Sequence, residues 1–262
     1  MSIIVLLNLV EKEVLKFFLI FFRILLLFFL FPIFASPFFS NRLKILFALV
    51  LALILLPVVN FPIPKITNVY NLVIVLVSEF LLIFAISFLF RLIIAGIQLG
   101  GEMVSIQMGF GLSQTIDPVS GFSLPVISQF VYLIFLLFFF SFNFHHYLIY
   151  ALYESFEKIP PGMFYIKNNL GEFFIKKGVI IFYISVKLLA PLLVFMMIIY
   201  ITLAIIGRLM PQMNVLFVSF PLTVGLGLFF FGLMLIFIPK IIYPYMDNYF
   251  RDIFKLLNSY RG

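Results

Sequence analysis

The chain of 262 residues is 65% hydrophobic and 10% charged, carries a net charge of +7 and has a mean hydropathy of +1.27. These values lie outside the range of soluble globular domains and leave no room for a separate soluble domain of usual size, so they point to an all-α, polytopic helical membrane protein. Cysteine is absent, which excludes a disulfide framework and a thiolate metal site.

In chain order, the opening "MSIIVLLNLVEKEVLKFF" places Glu11, Lys12, Glu13 and Lys16 after the first short apolar run. A cleaved signal carries its charges before that run, so the N-terminus reads as mature chain. A bilayer core of about 30 Å needs roughly 20 apolar residues in a helix. Six runs meet that length, approximately 14–35, 43–59, 69–94, 125–145, 178–206 and 215–238. Arg23 lies inside the first, Glu79 and Arg91 inside the third, and Lys187 with Pro191 inside the fifth. An ionisable group in hydrocarbon costs at least a few kcal/mol, so these helices have a side that faces something other than lipid. Glu79 and Arg91 are twelve residues apart, roughly 18 Å along a helix axis. They cannot pair, and their partners are expected elsewhere. Counting lysine and arginine in alternate loops puts both termini in the cytoplasm.

Between the third and fourth runs stands "GGEMVSIQMGFGLSQTIDPVSGF". Gly100, Gly101, Gly109 and Gly111 suit helix bends or close backbone approach. Pro118 disfavours helix at Asp117, and Gly121 permits a turn. The expectation is a helix that breaks into a loop. Non-helical backbone at membrane depth is tolerated where it is buried in protein or lines a water-filled path. Gln107, Met108 and Phe110 would then supply an adaptable, partly apolar plug. The alternative is a plain surface connection with glycine and proline as turn residues.

The fourth run ends at "FNFHHYLIYALYESFEKIPPG", the start of the one long polar connection. Adjacent helical residues point about 100° apart, so His145 and His146 make a poor metal pair. With Tyr147, Tyr150 and Tyr153 they read as an interfacial aromatic belt. Glu102 and Asp117 are the carboxylates of the Gly-rich stretch, with no second acid placed for general acid–base work. Metalloprotease, serine-hydrolase, P-loop and dinucleotide patterns are absent. No cofactor is expected. The cations are dispersed over loop ends, where they suit anionic lipid headgroups rather than nucleic acid.

Three segments in order, "GGEMVSIQMGFGLSQTIDPVSG", "FNFHHYLIYALYESFEKIPPG" and "GRLMPQMNVLFVSFPLTVGLGL", resemble the FliR family of flagellar biosynthesis proteins, relatives of the export-gate subunits of type III secretion systems. The early "FRILLLFFLFPIF" and "PFFSNRLKILFALVLALILLP" fit the same pattern. The resemblance implies a non-enzymatic subunit of the export gate in the bacterial inner membrane, at the flagellar basal body. About 1–175 would be FliP-like and about 176–262 a FliQ-like helical hairpin. FliP-type, FliQ-type and FlhB-type subunits are the implied partners, and unfolded flagellar proteins the cargo. The segment Gln107, Met108, Gly109, Phe110, Gly111 through Asp117, Pro118 and Gly121 would plug the channel. Arg208, Pro211, Gln212 and Asn214 would form the hairpin turn, which reads equally as an ordinary proline-broken, asparagine-capped helix turn. Arg23, Glu79, Arg91 and Lys187 would meet partner subunits. Two positions depart from the family: many relatives have a polar residue at Tyr200 and a glycine at Ala204. The alternative function is a small-molecule secondary transporter using Glu79, Arg91, Glu102 and Asp117 near a broken helix.

Overall fold

The computed structural model describes residues 3–35, 39–110, 125–165, 170–212 and 214–260. Over these residues the chain is helical and has no strand. The elements are α1 (Ile3–Leu30), α2 (Pro32–Ala35), α3 (Asn41–Leu55), α4 (Val69–Gln107), α5 (Val126–Ser141), α6 (Phe144–Lys158), α7 (Leu170–Gly178), α8 (Ile180–Leu209), α9 (Val215–Met234) and α10 (Ile238–Asn258).

Local chemistry sets several of these boundaries. Pro32 restricts Phe31 and separates α1 from α2. Ser40, extended at φ −62° and ψ 147°, caps α3 by accepting the Leu43 N–H at 3.4 Å. Asn143 takes the left-handed conformation at φ 58° and ends the apolar α5 before the polar α6. Proline interrupts neither α8 at Pro191 nor α9 at Pro221.

Among the described residues, three stretches are long and apolar enough to cross a bilayer: Val69–Gln107, Gly171–Leu209 and Phe217–Met234. The pair α5 and α6 adds a fourth only as one broken span. The six sequence runs thus give fewer stretches, among the described residues, that are long and apolar enough to cross. The first run lies in α1, whose Glu11, Lys12, Glu13, Lys16 and Arg23 dilute its apolar length. The second becomes α3, whose fifteen residues reach only about 22 Å. The third extends well past residue 94, since α4 has 39 residues and measures about 58 Å, nearly twice a hydrocarbon core. The polar connection after residue 145 is itself helical as α6, and the polar C-terminus forms α10.

Two compact units follow from the contacts. The first comprises residues 1–91, 143–174 and 247–262, the second 92–142 and 175–246. In the first, α1 packs on α3, and Leu19, Ile20, Ile24, Leu82, Ile83 and Phe156 are fully buried. Phe90 meets Phe31 at 4.3 Å and Tyr249 edge-on at 5.2 Å. The Tyr249 hydroxyl donates to the Ile86 carbonyl at 3.2 Å, and burial pushes that phenol well above its ordinary range.

In the second unit α8 and α9 form a helical hairpin, with Phe195 stacked on Phe230 at 4.2 Å. The C-terminal part of α4 lies close against α5 and α8 because small residues stand at the crossings. A Cβ at Gly101 would come within 2.6 Å of the Ser128 Cα, and one at Gly96 within 2.9 Å of the Ile181 carbonyl oxygen. Gly100 faces Leu189 and Ser185 in the same way. Backbones approaching this closely forgo side-chain volume for van der Waals contact, the usual device of membrane helices. The Ser128 hydroxyl adds a hydrogen bond to the Gln98 carbonyl at 2.9 Å.

Candidate functional site

The helix α4 runs unbroken through Gly100 and Gly101 and stops at Gln107. The stop is a glycine device. Gly109 has φ +94°, its N–H donates to the Ile106 carbonyl at 3.1 Å, and the Phe110 N–H donates to the Ser105 carbonyl at 2.9 Å. That pair of bonds is the Schellman pattern, which needs a left-handed residue that glycine adopts without a Cβ clash.

The end of α4 rests on the hairpin. Met108 is fully buried, and its side chain fills the notch at Gly227, where an added Cβ would lie 2.7 Å from the Met108 Cγ. Gly109 faces Phe220 and Thr223 of α9. The Tyr200 hydroxyl on α8 donates to the Gln107 carbonyl. A groove of about 460 Å³ is lined by Gln107, Tyr200 and Ala204 among others. A second groove of about 680 Å³ brings Gly109 and Asn214 to one place, with Tyr200 and Phe217 on its walls. Gly111, Asp117, Pro118 and Gly121, the remainder of the expected plug, lie outside the described residues.

At the hairpin turn α8 ends with the Met210 N–H donating to the Ile206 carbonyl, and Pro211 and Gln212 make the turn. Asn214 precedes α9, and its carbonyl accepts the Phe217 N–H at 3.1 Å. Arg208, Pro211, Gln212 and Asn214 are all exposed.

The four ionisable residues separate into two kinds. Arg23 and Glu79, 0% and 1% exposed, form a bidentate pair with each other. The Arg23 Nη1 also donates to the Ser155 hydroxyl at 3.1 Å and Nη2 to the Ile159 carbonyl at 3.0 Å, while the guanidinium lies 4.2 Å above the Phe156 ring. Glu79 accepts a further bond from the Gly162 N–H at 3.3 Å, and the adjacent Ser78 hydroxyl both donates to and accepts from Phe164 at 3.0 Å. Each of these two charges thus has a partner inside the chain. Arg91 and Lys187 are exposed, Lys187 with its ammonium 5.8 Å from the Tyr245 ring centre. Glu102 is half-buried on α4.

Among the described residues no group of three or more His, Asp or Glu side chains is placed to hold a metal ion. His145 and His146 lie side by side with ring centres 4.2 Å apart at the start of α6.

The family described as Bacterial export proteins, family 1, is matched over residues 14–249. The chain belongs to this family. It is similar to the flagellar biosynthetic protein FliR of Aquifex aeolicus, 29% identical over 95% of both chains, and to that of Bacillus subtilis, 30% identical over 89% of this chain and 90% of the relative. It is also similar to the Escherichia coli FliR, 30% identical over 69% of this chain and 68% of the relative.

In this bacterial export protein the sequence reading missed Ser155, Phe156, Ile159 and Gly162 around the buried pair. One signal was available: Arg23 and Glu79 are opposite charges in two different apolar runs, and each needs a partner. The notch at Gly227 carried no signal, because which glycine of "TVGLGL" meets Met108 depends on how α4 lies on α9. The Tyr200 hydroxyl supplies the polar contact that the sequence left open at that position.

Proposed function

We propose that this bacterial export protein is a non-enzymatic structural subunit of the flagellar type III export gate in the bacterial inner membrane. With FliP-type and FliQ-type subunits it forms the conduit for unfolded flagellar proteins, and the segment from Gln107 to Gly121 plugs it. Residues of about 1–175 correspond to a FliP-like part and about 176–262 to a FliQ-like hairpin, whose exposed turn at Arg208, Pro211, Gln212 and Asn214 meets neighbouring hairpins and the FlhB-type subunit. The observation that carries the reading is the likeness to flagellar FliR proteins over nearly the whole chain. The plug is supported by the abrupt glycine stop of α4 at Gly109, directly before the polar stretch.

The chemistry of the site agrees with a passive conduit. Glu79, the most deeply buried acid among the described residues, is committed to Arg23, so it offers no free carboxylate to a transported ion or small molecule. Energy for transport would come from other components.

Deleting Gly109–Gly121 tests the plug. The expected result is a complex that assembles with its partners and conducts ions across a bilayer well above wild type. A deletion mutant as tight as wild type contradicts the plug.

A further inference from the structure

The last four carbonyls of any helix lack partners within it and must be satisfied elsewhere. In α4 these belong to Val104, Ser105, Ile106 and Gln107. Three are satisfied by the corner itself: Val104 accepts the Met108 N–H at 2.9 Å, Ser105 the Phe110 N–H and Ile106 the Gly109 N–H. The fourth, at Gln107, accepts from the Tyr200 hydroxyl of α8. The hairpin therefore completes the end of α4.

Packing points the same way. Phe220, Thr223 and Gly227 recur at helical spacing on one face of α9. Phe220 and Thr223 line the Gly109 corner, and Gly227 receives the fully buried Met108. Gly225, two residues away, has nothing near its missing Cβ. The notch is thus specific to one glycine of the pair.

From these contacts we propose that the α8–α9 hairpin is a fixed seat for the end of α4, with Tyr200 and Gly227 as the residues that position the segment leaving at Gly109. A hydroxyl ties the final carbonyl, a methionine in a glycine notch sets the depth, and the left-handed Gly109 aims the chain. The consequence for closure rests on the plug reading of that segment; the seat itself does not.

The test uses the assembled complex in liposomes and compares Tyr200→Phe, Gly227→Leu, Gly225→Ala and the Gly109–Gly121 deletion. Tyr200→Phe and Gly227→Leu are expected to leak ions several-fold above wild type and below the deletion, while Gly225→Ala stays tight. If Gly227→Leu fails to assemble, the swap Met108→Ala with Gly227→Leu is expected to restore assembly and closure, and its failure counts against the notch. Variants as tight as wild type beside a leaking deletion overturn the proposal. If the deletion itself does not leak, the plug reading fails and the seat is judged by cross-linking. The chain has no native cysteine, so Met108→Cys with Gly227→Cys gives one defined pair. A disulfide that forms in the intact complex and leaves export unimpaired supports a fixed seat. No disulfide, or a disulfide that blocks export, overturns it.

Discussion

At Arg23 nearly every donor of the guanidinium is used, and both oxygens of Glu79 accept. Removing one partner of such a pair strands the other in a dry site, a loss of about 3–5 kcal/mol, whereas replacing both by apolar residues of similar size is often neutral. Glu79→Leu is therefore expected to lower the thermal stability of the isolated chain in detergent strongly, and Arg23→Leu with Glu79→Leu to recover most of it. Arg91→Leu, altering an exposed cation, leaves the isolated chain stable and lowers the yield of the assembled complex. Additive losses in the double mutant, or a normal yield of complex with Arg91→Leu, would contradict this division. Composition and the positions of these four charges were legible in the sequence, as was their need for partners. The pairing was not, because Arg23 and Glu79 are separated by 56 residues and nothing local links them.

At the scale of the element, the sequence made the apolar stretches of α4, α8 and α9 plain, because continuous hydrophobic runs need no tertiary context to be read. It left open whether the Gly100–Gly101 and Gly109–Gly111 pairs mark a bend or a close backbone approach. Glycine at a close helix crossing and glycine at a helix end look alike in sequence, and the difference lies in what sits opposite. Gly101 meets the Ser128 backbone, while Gly109 has a positive φ. Helices α6 and α10 were hidden by their polarity: α6 carries Glu154, Glu157 and Lys158 along with its tyrosines, and reads as connection until Phe144 is seen stacked on Phe250 with Tyr147 tilted against the same ring. The crossing at Gly101 has a direct check. Gly101→Ala puts a Cβ 2.6 Å from the Ser128 Cα, and overpacking of that kind costs typically about 1–3 kcal/mol. A lower melting temperature is expected, and an unchanged one would show that α4 and α5 can separate there without loss. Gly171→Ala, with nothing opposite it, is the matched control.

At the scale of the whole molecule, much of the surface of α8 and α9 is apolar, with Phe182, Val186, Val194, Met197, Phe217 and Phe229 well exposed in the isolated chain. A hydrophobic surface suits lipid, but the grooves at Gln107 and Asn214 and the exposed charges Arg91 and Lys187 suit protein. A chain with such a surface is expected to have protein neighbours. The most direct test is to tag this chain at its C-terminus in its native cell, extract membranes in mild detergent, and determine the native mass and composition of what co-purifies. The account expects one large particle containing two smaller hydrophobic membrane subunits together with this chain. A lone monomer or homodimer, under conditions that keep other membrane complexes intact, would contradict it.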